Sequence, residues 1–175
     1  KHKGEYVADI NLTADICDKF DRQVKILASI FTNYGGTTIF EGEVVTLKTF
    51  NDNSLVREIL NEKGNGKVLV IDGAASMDCS LLGGNLALLA SKNNWAGAVI
   101  NGCVRDLLEL VSIDFGVKAI GTNPKKSIKA GIGEKNVEVC VGGVDISPGQ
   151  YLYSDPDGIV MIPSSLVSKP VGMSK

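Results

Sequence analysis

One histidine, His2, is all the imidazole this chain has. A Ser-His-Asp or Cys-His site would rest on that side chain, near a terminus where chains fray, so neither is expected. The four cysteines, Cys17, Cys79, Cys103 and Cys140, form no CxxC pair, which removes the usual Cys/His zinc sites. They lie in or beside apolar runs, as reduced packed thiols do, and this favours a cytosolic protein. No apolar stretch is long enough to span a bilayer, and the opening Lys-His-Lys-Gly has no signal-peptide pattern. Positive charge is not in excess: the formal net charge is -2, against a general nucleic-acid-binding face. Aromatic residues are only 6%. Proton transfer is left to carboxylates, lysines, tyrosines or metal-bound water.

What is present is an ordinary globular composition, with 44% hydrophobic and 22% charged residues. The 175 residues suffice for one domain with a proper core. Twenty glycines mark turns and close backbone approaches.

The most informative stretch is Asn101-Gly102-Cys103-Val104-Arg105-Asp106. It follows the strand-like Ala98-Val99-Ile100 and precedes a helix from Asp106 to about Ser112. In an open parallel sheet, that edge binds ligands. Arg105 can hold an anionic oxygen through its planar fork, and Asp106 can offer oxygen to a hard divalent cation. The plainer reading is an Arg that closes a turn and an Asp that caps the helix.

Elsewhere, Thr13–Phe20 reads as a helix capped by Thr13, and Leu55–Glu62 as a helix closed by Gly64. Gly64-Asn65-Gly66-Lys67 precedes its strand, the wrong order for a phosphate loop. Lys67–Ile71 reads as a buried parallel strand, with Asp72–Ser76 as the loop after it. Gly83-Gly84-Asn85 opens a helix through Lys92 and presents free N–H groups, a ready anion site. It should share a sheet edge with Arg105 and Asp106. Lys125, Lys126 and Lys129 read as solvated surface. Asp72 and Glu134 are candidates to line the cleft, with capping or surface roles as the plainer alternative. From Val137 the pattern is all strand. The prediction is one α/β domain over residues 1–175, with a central βαβ unit, a β-rich C-terminal third, and loosely held tails at 1–12 and 164–175.

Six segments, Phe31–Gly36, Val44–Lys48, Asp52–Val56, Gly66–Gly73, Asn101–Asp106 and Tyr153–Ile159, together resemble the RraA family, regulators of ribonuclease E activity. They occur in family order, from about Thr13 to Ile162. The resemblance implies a swivelling β/β/α fold and a cytoplasmic, ring-shaped homotrimer, sometimes a dimer of trimers. It also implies one of two activities. One branch comprises class II aldolases that use a divalent metal on 4-hydroxy-4-methyl-2-oxoglutarate and decarboxylate oxaloacetate. The other binds ribonuclease E and inhibits it. Menaquinone methylation, also associated with the family, finds no supporting glycine-rich loop.

In the aldolase branch an Asp precedes Arg-Asp by twenty intervening residues. Arg105-Asp106 matches the second half, but the first position is Gly84 here, which should weaken metal binding or proton transfer. On the enzyme reading, the N–H groups from Gly83 through Gly84 and Asn85 to Leu86 take the carboxylate of a 2-oxo acid. Arg105 neutralises the carboxylate and the enolate oxygen, and Asp106 holds Mg²⁺ or Mn²⁺. On the regulator reading, scattered acidic residues meet basic segments of a ribonuclease. Cys103 reads as a packed thiol without a base to activate it.

Overall fold

The computed structural model describes residues 13–167. The strands are β1 (Lys25–Ile26), β2 (Thr32–Asn33), β3 (Phe40–Lys48), β4 (Val68–Leu82), β5 (Gly97–Val104), β6 (Gly116–Thr122), β7 (Glu134–Lys135), β8 (Val139–Val141), β9 (Val144–Ile146), β10 (Tyr151–Asp155) and β11 (Gly158–Ile162). The helices are α1 (Thr13–Phe20), α2 (Ser54–Leu60), α3 (Gly84–Lys92) and α4 (Leu107–Leu110). This is the expected α/β arrangement, with a strand–helix–strand centre and a β-rich last third.

Nine strands share one mixed sheet in the order β1-β11-β10-β3-β4-β5-β6-β2, with β7 beside β3. Strands β3 to β6 run parallel to one another, and the flanking strands pair antiparallel. The β8–β9 hairpin stands apart.

The parallel centre is apolar on both faces, as its continuous hydrophobic runs require. Alternation sends Leu69, Ile71 and Ile100 toward Leu60 of α2 and Ala87 and Ala90 of α3. It sends Val68, Val70 and Val99 toward Val141 and Ile146 of the hairpin. All of these side chains are fully buried, each stabilising by about 1.5–3 kcal/mol where a large aliphatic group is removed from water. A third cluster packs Ile16 of α1 on Tyr153, Val160 and Ile162.

Several local expectations are corrected. The strand expected to end at Ile71 continues to Leu82, through the residues expected to form a loop. Register shifts after Asp72, Ser76 and Ser80 absorb the extra residues, and Ala74 and Ala75 take left-handed φ values of 54° and 55°. Thr13 does not cap α1 with its own hydroxyl. Its N–H and Oγ1 both donate to the Asp155 carboxylate, at 2.8 and 2.7 Å. Gly64 lies beyond the end of α2 and serves a close approach: a Cβ there would fall 2.5 Å from Trp95 Cγ. The helix after Asp106 is one turn, Leu107–Leu110, and does not reach Ser112. Of the expected tails, residues 1–12 and 168–175 lie outside the described residues. Ser164–Leu166 forms a 3-10 turn, and Leu166 packs on the Ile16 cluster.

Candidate active site

β4 and β5 are parallel and end together, with Leu82 opposite Val104. The chain leaves each at the same sheet edge, so Gly83 and Arg105 emerge side by side, and the Arg105 N–H donates to Leu82 O at 3.0 Å. The shared edge expected from the sequence is therefore present.

Asp106 holds a left-handed backbone, φ 62° and ψ 44°. Such a conformation costs a non-glycine residue about 1–3 kcal/mol and is typical of functional sites. Its side chain does not cap the helix that follows. It crosses to the neighbouring helix, where Oδ2 accepts the Gly84 N–H of α3 at 3.0 Å. The plainer reading of Asp106 as the cap of its own helix is thus corrected. The carboxylate ties two strand ends together and keeps its remaining oxygen for other partners.

Gly83 makes this possible. A Cβ there would lie 2.5 Å from Asp106 Oδ2 and 3.2 Å from Arg105 Cγ. Arg105 Nε is 4.0 Å from Asp106 Oδ2, with both side chains 40% exposed, a pair worth little to stability. Arg105 Nη1 donates to Pro124 O at 3.2 Å, which aims the guanidinium along the cleft wall.

Of the four N–H groups expected to cradle an anion, Gly84 N–H is already taken by Asp106. Helix geometry leaves those of Asn85 and Leu86 without an intrahelical partner, because the first α3 bond runs from Ala87 N–H to Gly83 O. The cradle is therefore narrower than the sequence suggested.

The cleft encloses about 120 Å³ and is lined by Gly83, Asn85, Leu86, Arg105 and Asp106, as expected. It is also lined by Arg57 of α2 and by Lys126, Ser127 and Lys129. Lys126 and Lys129, two of the three lysines read as solvated surface, are exposed as expected and also border this cleft. Asp52 places them. It is wholly buried, and its carboxylate accepts N–H groups from Ser54, Ala130 and Ile132 at 2.8, 2.7 and 3.2 Å. Burial pushes the Asp52 carboxyl up, but the hydrogen bonds from Ser54, Ala130 and Ile132 outweigh it and hold it at about 2. On the other side, Ser80 N–H donates to Lys125 O at 2.8 Å.

Sequence reasoning also missed Glu109. A Cβ on Gly84 would collide with Glu109 Oε2, so this carboxylate stands where a side chain at position 84 would begin. Its position three residues after Asp106, one helical turn on, was the available signal. Asp72 and Glu134 line a separate hollow with Lys48, Phe50 and Ile132, and are not among the residues lining the Arg105 cleft. Cys103 is buried, 3.4 Å from Met77 Sδ, and burial pushes its thiol up, as a packed cysteine requires.

Among the described residues, no group of three or more His, Cys, Asp or Glu side chains is placed to hold a metal ion. The donor set nevertheless suits a hard cation: Mg²⁺ is commonly held by one or two carboxylates with water completing its shell. No described helix is long and apolar enough to cross a membrane.

The family model described as RraA-like: Aldolase/RraA matches residues 13–161. Over 153 residues the chain is 51% identical to a protein of Dechloromonas aromatica (strain RCB) provisionally named a 4-hydroxy-4-methyl-2-oxoglutarate aldolase, covering 85% of this chain and 94% of that one. The solved structure of the RNA-processing inhibitor RraA from Thermus thermophilis matches with a TM-score of 0.86 and 42% identity, over 91% of this chain and 95% of that one. A Geobacillus kaustophilus HTA426 structure described as an S-adenosylmethionine: 2-dimethylmenaquinone methyltransferase matches with a TM-score of 0.87 and 43% identity, over 90% and 98%.

Proposed function

The chain belongs to the RraA-like family, and we propose that it is a divalent-metal-dependent lyase of 2-oxo acids. It would cleave 4-hydroxy-4-methyl-2-oxoglutarate by a retro-aldol step or decarboxylate oxaloacetate. The names of relatives about half identical to it support the reaction class. In this chain the supporting observation is the meeting of Arg105, Asp106 and the start of α3 in one small cationic cleft.

The substrate carboxylate would lie on the N–H groups of Asn85 and Leu86, at the positive end of α3. Arg105 would hold the keto oxygen and the negative charge that gathers on it when the carbon–carbon bond breaks. Asp106 would hold Mg²⁺ or Mn²⁺ with water, and the bound cation would act as a Lewis acid on the keto group. Glu109 would supply the carboxylate that Gly84 lacks and, through water, take the proton of the 4-hydroxyl in aldol cleavage. Oxaloacetate needs no such base, because it loses CO₂ without losing a hydroxyl proton.

Methyl transfer is not proposed, because a lining of Arg57, Arg105, Lys126 and Lys129 suits small anions and not an apolar quinone. Leu108 and Val111 on either side of Glu109, 93% and 61% exposed, are where a second copy would pack in a homotrimer.

A second reading is inhibition of RNA processing by binding a ribonuclease. It is favoured by the 42% identity to the Thermus inhibitor. Pull-down on a ribonuclease E scaffold with the parent and Asp106→Asn separates the readings. Binding retained by a variant that has lost turnover makes the two functions independent.

A further inference from the structure

The carboxyl edge of the parallel strands is where an open sheet binds ligands, and here it carries a second hollow besides the Arg105 cleft. The cleft lies against α2 and α3 and is walled by Arg57, Arg105, Lys126 and Lys129. Alternation turns Lys48 and Asp72 to the opposite face, because Leu47 and Ile71 before them are buried on the helix side. There Lys48, Phe50, Asp72, Ala74, Ile132 and Glu134 line a hollow of about 340 Å³. Ligand sites begin at about 300 Å³. The proposed reaction uses none of these six residues.

The charge of this hollow is opposite to that of the cleft. Register sets Lys48 between two carboxylates, Asp72 on β4 and Glu134 on β7. Among the described residues the ion pairs are Arg105–Asp106 and Lys135–Glu58, so Lys48 closes on neither. Lys48 is exposed, and its long stem lets the ammonium swing out into water. Asp72 is held in place: its Oδ1 accepts the Ala74 N–H at 2.9 Å and the Asn101 amide at 3.5 Å. Both bonds fall on Oδ1 and leave Oδ2 for another donor.

The apolar side is an independent observation. Phe50 and Ile132 are 57% and 56% exposed where they border the hollow. Large apolar side chains that open onto a concavity mark a binding surface. The Ile132 wall is already fixed, since Asp52 accepts its N–H at 3.2 Å and Thr49 Oγ1 donates to its carbonyl at 3.0 Å. A wall held in advance loses little freedom when a ligand arrives.

We infer that this hollow binds a small organic ammonium with an apolar body, of the arylalkylamine kind. The ammonium donates to Asp72 Oδ2 and faces Glu134, while the apolar body covers Ile132 and the Phe50 ring, whose face also attracts a cation. Two carboxylates against one mobile lysine repel an anion, so charge complementarity selects the occupant. The site is separate from the Arg105 cleft and does not rest on the lyase reading.

The test is titration calorimetry with three probes of one shape: 2-phenylethylammonium, neutral 2-phenylethanol and anionic 3-phenylpropionate. The parent should bind the ammonium about tenfold more tightly than the alcohol, as one charge-assisted hydrogen bond predicts, and the anion more weakly still. Asp72→Asn and Glu134→Gln should each lower that preference about threefold to tenfold. Phe50→Ala should weaken the ammonium and the alcohol together, and Arg105→Ala should change neither. Glu134 is exposed, so its variant tests the site without disturbing the core, and thermal midpoints equal to the parent's show that the others are folded. Equal affinity for the three probes, or a preference unchanged in both carboxylate variants, overturns the proposal. A parent that binds no probe, and that falls to a smaller species on Phe50→Ala in sedimentation velocity, has this hollow filled by a second copy, which overturns it too.

Discussion

Glu109 Oε2 occupies the volume in which a side chain at Gly84 would begin. The chain lacks an aspartate at position 84, and the Glu109 carboxylate of α4 stands beside that position, in the hollow that adjoins the Arg105 cleft and shares Asn85 with it. The glycine is the condition for this arrangement, since any Cβ displaces the glutamate.

Removing Glu109 should therefore cost what a general base contributes. Glu109→Ala is expected to lower kcat for aldol cleavage by about 10²–10⁴ and to affect oxaloacetate decarboxylation much less. Gly84→Asp alone sets two carboxylates in one space and should impair the enzyme. Added to Glu109→Ala, it should recover part of the lost cleavage. Steady-state assays on the four proteins of this double-mutant cycle check the coupling. Strictly additive losses contradict it.

On the proposed mechanism, Arg105 carries the developing charge. Arg105→Ala should lower pyruvate formation from either substrate by about 10²–10³, the range for losing one preorganised donor. Arg105→Lys should recover little, because a point charge does not reproduce the planar fork. Circular dichroism should be unchanged for both variants, since the ion pair to Asp106 is long and exposed.

Asp52 holds the wall that carries Lys126, Ser127 and Lys129. Its carboxyl sits at about 2 against an ordinary 3.8. A lowered folded value means that the carboxylate stabilises the fold above pH about 4, and that this contribution fades as pH falls toward about 2. Its size is about 2 kcal/mol. Asp52→Ala leaves the N–H groups of Ala130 and Ile132 unpaired and should destabilise by about 1–3 kcal/mol per group. Urea unfolding at pH 7 and pH 3 measures both effects, and the gap between parent and variant should narrow at pH 3.

Gly83 fits only because it has no side chain. Gly83→Ala would bring a Cβ to 2.5 Å from Asp106 Oδ2 and 3.2 Å from Arg105 Cγ. The expected outcome is loss of turnover with a change of less than about 1–3 kcal/mol in unfolding free energy, since both displaced groups are 40% exposed. Paired activity and urea-unfolding measurements on this variant distinguish a site effect from a fold effect.

Much of this was legible from the residues. Continuous apolar runs gave the parallel strands, and Gly-Gly-Asn before an apolar helix marked the α3 start. The order of Arg105 and Asp106 after a strand placed them at the same edge. Three features were not legible, each because it depends on a distant segment. β4 runs on past Asp72 because β5 continues to offer it partners through bulges, and a local scan of Asp72-Gly73-Ala74-Ala75-Ser76 finds only turn formers. Lys126 and Lys129 join the site because Asp52, far away in sequence, captures the backbone of Ala130 and Ile132. Glu109 stands over Gly84 because the glycine leaves it room; its spacing from Asp106 marks a nearby carboxylate, but the approach to the start of α3 is a relation between two helices.

The most direct measurement is pyruvate release from oxaloacetate with Mn²⁺ or Mg²⁺, with and without a chelator, for the parent and Asp106→Asn. Turnover that the chelator abolishes, that metal restores, and that Asp106→Asn lacks is expected of a metal-dependent lyase with Asp106 as the metal's carboxylate. Turnover indifferent both to the chelator and to Asp106 would contradict it.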